Sequence, residues 1–134
     1  MTFTAENIAI EQKFYAVWSS RTPIDWDNID YEPVTGTAWV RFRILDGFGQ
    51  QMSTGAVPLH RNSGIIDIAI FVPQGTGTDV AKGHADFAAA IFRGWSSGGV
   101  TCRSPYIMRG GDVSGWHQIN VTVPFFRDEY IALP

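Results

Sequence analysis

The sequence predicts an α+β domain: a mostly antiparallel sheet with two helices packed on one face, in the order α-β-β-β-α-β-β. Three observations lead there. Residues 63–94 read as a strand, a tight loop and a helix in succession: Ile66, Ile68, Ile70 and Val72 alternate with Ile65, Asp67, Ala69 and Phe71, and Val80, Phe87, Ala88 and Ile91 then follow helical spacing. Residues 37–45 and 116–126 repeat the period-two pattern. The links between successive strands are short, which favours antiparallel neighbours.

In chain order, Thr4 is placed to cap a first helix running to about residue 20, with Phe3 before it as a hydrophobic staple and Ile10, Phe14, Val17 and Trp18 along one stripe. Pro23 stops that helix. Residues 22–36 then read as an irregular loop rich in acids and aromatics, of the length that is either functional or a pinned surface loop. In the strand of residues 37–45, Ala38, Val40, Phe42 and Ile44 make a core face, and Trp39, Arg41, Arg43 and Leu45 the other. Asp46-Gly47 is a turn signal, followed by a weaker strand within residues 50–59 and a turn at Asn62-Ser63-Gly64. Thr78 and Asp79 suit the start of the second helix, and Gly94 its end. A hairpin closes the domain, with strands near residues 100–108 and 116–126 and glycines 110, 111 and 115 between them. Residues 127–134 read as a loose tail.

A single domain of 134 residues accounts for the whole chain, 1–134. It is 45% hydrophobic and 17% charged, a globular balance. A net charge of −3, with eight Arg and two Lys, argues against a protein whose main task is gripping nucleic acid. One cysteine, Cys102, excludes an internal disulfide and fits a reducing compartment. The first residues lack the basic start and apolar run of a signal peptide, so a soluble protein made inside the cell is expected.

Enzyme signatures are weak. Gly75-Thr-Gly77 opens a helix, but Val80 replaces the third glycine of a dinucleotide loop and no Walker Lys-Ser/Thr pair follows. Asp25-x-Asp27-x-x-Asp30 supplies only two calcium-loop ligands. His60, His84 and His117 sit on separate elements, and Cys102 has no neighbouring His. No catalytic, cofactor or metal residues are expected. What stands out is the sheet face opposite the aliphatic one, where Trp39, Arg41, Arg43, Asp67, Phe71, Trp116, Gln118 and Asn120 gather. Aromatics mixed with Arg and amides have the composition of a protein interface, although a wet sheet face with aromatics against Arg stems is the alternative.

Four motifs in order carry a family resemblance: Thr22-Pro-Ile-x-Trp26-x-Asn28, Ala38-Trp-Val-Arg41, Ile68-x-Ile-Phe-Val-Pro-x-Gly-Thr-Gly77 and Trp116-x-Gln-x-Asn-Val-x-Val-Pro-Phe125. Together they resemble the tail terminator (tail completion) proteins of long-tailed bacteriophages, more narrowly the lambda-type terminators of small phage and prophage proteins. The resemblance implies a structural protein rather than an enzyme. It implies a homo-oligomer, typically a six-subunit ring, at the head-proximal end of the virion's tail, assembled in the host cytoplasm. Such a ring stops growth of the major tail tube protein and offers a surface to the head-completion protein, and DNA later passes through without sequence-specific binding. Asp25, Trp26, Asp27, Asn28, Trp39, Arg41, Arg43, Asp46, Phe48, Trp116, Gln118 and Asn120 are the expected contact residues. The rival readings are another head–tail connector or minor tail protein, a dimeric ligand-binding domain, and a small nucleotide-binding domain using residues 75–78.

Overall fold

A computed structural model describes residues 2–132. Its elements are α1 (Phe3–Trp18), β1 (Ile24–Trp26), β2 (Trp39–Gln51), β3 (Leu59–Pro73), α2 (Thr78–Phe92), β4 (Ser96–Ser97), β5 (Val100–Cys102), β6 (Tyr106–Val113) and β7 (Trp116–Tyr130). The expected order holds, with a short strand β4 added and the strand expected near residues 100–108 divided into β5 and β6. The sheet runs β1-β2-β3-β7-β5-β4, and β6 pairs with β7 as well. β3 lines one flank of β7 along its whole length, so β5 and β6 share the other flank end to end. Every pairing is antiparallel except that of β1 with β2.

The alternating strands put Val40, Phe42, Ile66, Ile68, Ile70, Val72, Ile119, Val121 and Val123 on one face, where both helices cover them. From α1 come Ile10, Phe14 and Trp18, with Phe14 stacked on Phe42 at 4.5 Å and on Trp18 at 5.3 Å. From α2 come Ala81, Ala85 and Ala88, small enough to let its backbone lie close to the sheet, and then Ile91 and Phe92. No helix among the described residues is long and apolar enough to cross a membrane.

Several boundaries differ from the sequence expectation. Thr2, not Thr4, caps α1, its Oγ1 accepting from the Ala5 N–H at 3.1 Å, so Phe3 lies inside the helix and not before it as a staple. Val17 and Val80 are exposed, so each helix buries a stripe slightly rotated from the expected one. Residues 22–36 hold a strand, β1, beside β2 in the register Ile24↔Val40.

The largest correction concerns Asp46-Gly47 and Asn62-Ser63-Gly64. Neither is a turn. β2 runs through the first with a register shift between Asp46 and Gly49, β3 runs through the second, and residues 52–58 make the connection. No separate strand exists at 50–59. Both glycines serve close approach: a Cβ on Gly47 would lie 2.6 Å from the Ser63 carbonyl oxygen, and one on Gly64 2.7 Å from that of Leu45 and 2.8 Å from Phe125 Cζ. In the final hairpin the turn falls at Ser114 and Gly115, both left-handed, and the glycines at 110 and 111 make a bulge.

The tail is also corrected. β7 continues to Tyr130, and Arg127 is only 1% exposed, held by Glu6 at 3.0 Å and Glu129 at 2.5 Å. Arg61 grips Asp128 through two hydrogen bonds of 2.7 and 2.9 Å. Residues 133–134 of the expected loose tail lie outside the described residues.

Candidate functional site

Strand register sets the face away from the helices. Cross-strand rows place Trp39 beside Phe71 and Gln118, Arg41 beside Ala69, Asn120 and Met108, and Arg43 beside Asp67, Thr122 and Tyr106. One end of this face is a small second core. Trp39 stacks on Phe71 at 4.2 Å, Trp116 meets Trp39 edge-on at 6.0 Å, and Tyr31, from the segment between β1 and β2, leans on Trp39 at 5.4 Å. The aromatics expected at an interface are therefore largely spent within the chain. The Arg41 guanidinium lies 5.2 Å from the Phe71 ring centre, and Gln118 donates to Asn120 at 2.8 Å. Burial raises the Asp67 carboxyl above its ordinary range, against the opposing pull of Arg41 and Arg43.

Beside this face, β1 brings four of the expected residues into one network. Asp25 Oδ2 lies 3.3 Å from Arg43 Nη2 and 3.6 Å from Arg41 Nε, and Arg43 Nη1 donates to the Asp25 carbonyl at 2.8 Å. Asp27 reaches Arg43 at 3.6 Å. The Asp25 side chain is 14% exposed and that of Asp27 69%. Asp25 thus ties β1 to β2, while Asp27 faces outward with Asp30 and Glu32, both exposed along the same loop. Asn28 takes a left-handed turn (φ 58), and Trp26 points to the helix side, 5.5 Å from Phe42 and 6.4 Å from the exposed Tyr15.

Asp46 and Phe48 stand apart from both groups. They sit on the β2 bulge near the start of α1, with Phe48 71% exposed. The structure therefore divides the twelve expected residues among the aromatic face, the β1 border and the bulge. At the opposite border, β6 carries exposed Tyr106, Ile107 and Met108, with Arg103 and Arg109 nearby and without a carboxylate partner among the described residues. Sequence reading placed a strand near residues 100–108 but expected no contact residue on it. Its one signal was three consecutive apolar residues without alternation.

The titratable groups are dispersed. His84 accepts from Arg21 at 2.9 Å and is held below its ordinary range by burial and then by Arg21. His117 meets Asp112 at 3.1 Å on the hairpin. Burial pushes the Cys102 thiol up to about 12. Among the described residues no three His, Cys, Asp or Glu side chains come together in a way that could hold a metal ion.

The profile of the family described as "Phage tail terminator protein" matches residues 7–125, from α1 into the last strand. The chain belongs to the phage tail terminator family. It is thus a structural component of the phage tail and of the virion. Nine chains of solved structures are similar to it. One of them superposes with a TM-score of 0.72 at 18% identity, covering 100% of this chain and 99% of its own, a likeness of fold alone. No curated protein matches the sequence significantly.

Proposed function

We propose that this terminator assembles as a ring, six subunits by family resemblance, on the head-proximal end of the finished tail tube. There it halts tube polymerisation and presents a docking surface to the head-completion protein. It works by shape and contact, without making or breaking covalent bonds. The observation that carries this reading is the family match across residues 7–125. Two features of the molecule agree with it. The sheet leaves exposed borders and a polar face, surfaces suited to partners. The chain carries a net charge of −3, so a channel bounded by it has no overall basic grip on DNA.

Within this reading, the exposed Asp27 and its loop contact a neighbouring subunit, and Asp46 with Phe48 on the bulge contacts the tube. Trp116, Gln118 and Asn120 border the half-open face. The test is deletion of the gene in its phage, with tails examined by electron microscopy. Tails of irregular, excessive length that fail to join heads are expected, with recovery when the intact chain is supplied. Tails of uniform normal length joined to heads would overturn the proposal.

A further inference from the structure

Two strands at opposite borders of the sheet each have a flank with no partner strand. Among the described residues, β1 pairs only with β2, and β6 only with β7. An unpaired strand flank is a row of N–H and C=O groups ready to pair with another chain, and proteins usually blunt it with charges, Pro or a bulge. β6 has its bulge between Arg109 and Gly111 and its charges at Arg109 and Asp112, which leaves its first three residues, Tyr106, Ile107 and Met108, regular, apolar and each about half exposed.

Strand directions make the two borders compatible. β2, β3, β7 and β6 alternate in direction, and β1 runs parallel to β2, so β6 is antiparallel to β1. A second copy set beside the first, in the same orientation, continues the antiparallel sheet with its helices on the same side. The rows match in level too. Through the ladder, Trp26 shares a row with Phe42, Ile68, Val121 and Ile107, so the half-exposed Ile107 of one copy and Trp26 of the next fall on the same helix-side face.

Charge agrees with direction. The loop leaving β1 after Trp26 carries Asp27, Asp30 and Glu32, and Arg103, at the same end of the ladder just before β6, lies over the Phe126 ring with no carboxylate partner among the described residues, whereas Arg109 shares the row of Ile24 at the other end of β1. We infer that β6 of one copy adds antiparallel to β1 of a second copy, head to tail, with Arg103 set against the acidic loop. The inference rests on the ring reading, because a repeated head-to-tail contact is what closes into a ring.

The test uses two variants of the whole chain, D27R/D30R and R103E, measured by mass photometry. Each alone is expected to weaken self-association roughly tenfold or more while keeping the monomer's circular dichroism. Mixed in equal amounts, the two regain complementary borders at every contact and are expected to reassemble in alternation. Wild-type-like assembly of both variants, or failure of the mixture to reassemble, would overturn the β6–β1 contact while leaving the ring reading standing. A wild-type chain that stays monomeric both alone and with isolated tails would instead sink the ring reading, and this inference with it. If either charge-reversed chain loses its thermal transition, its neutral counterpart, D27N/D30N or R103Q, replaces it. Unchanged assembly of that variant would overturn the contact.

Discussion

Glu6 and Arg127 meet at 3.0 Å, 2% and 1% exposed, 121 residues apart in the chain. From the sequence, Glu6 is only an acid near a helix start. Its real partner is not legible there, because nothing local ties the first helix to the end of the last strand. Burial raises the Glu6 carboxyl above its ordinary 4.5, outweighing the hydrogen bond and charge of Arg127. Folding therefore favours the neutral acid. The stability this group adds is fully present below its unfolded value and is lost as pH rises through the folded one. Replacing it by Glu6→Gln removes that dependence. The stability of the wild type minus that of the variant, from urea midpoints, should shrink between about pH 4 and about pH 7. A difference that grows over this range would show that Arg127 outweighs burial.

At the scale of elements, the alternating strands were plain in the sequence because both faces of the central sheet are dictated by side-chain period. Strand ends were not. Gly47 and Gly64 carry the same sequence signal as turn glycines, yet here they let β2 and β3 approach closely. β1 was hidden because three residues are too few to show alternation. Two glycine replacements should therefore act in opposite directions. Gly64→Ala drives a Cβ against the Leu45 carbonyl and the Phe125 ring, and should cost about 1–3 kcal/mol. Gly83→Ala, exposed inside α2 with nothing within 4 Å of the new Cβ, should add about 0.5–1 kcal/mol. Denaturant melts of both variants check the pair.

For the whole molecule, fold class and family were legible because helix stripes, strand alternation and four ordered motifs all point one way. The candidate contact residues were less so. Composition marked Trp39 and Trp116 as interface aromatics, but the structure packs them with Phe71 and Tyr31 inside the chain, a choice that depends on where residues 27–38 cross the sheet. A self-assembling terminator should also show its assembly in its stability. Association binds only the folded form, so the thermal midpoint should rise by about 3–6 °C for each tenfold increase in protein concentration. A midpoint independent of concentration would argue for an isolated subunit.

The position of β7 has a consequence for what the fold can lose. It stands between β3 on one side and β5 and β6 on the other. Without it β3 keeps only β2, β5 and β6 have no strand to join them to the sheet, and Glu6 is left without Arg127 over it. The two halves of the molecule are thus stitched together by a single strand, and cutting that one seam leaves two unconnected pieces of sheet.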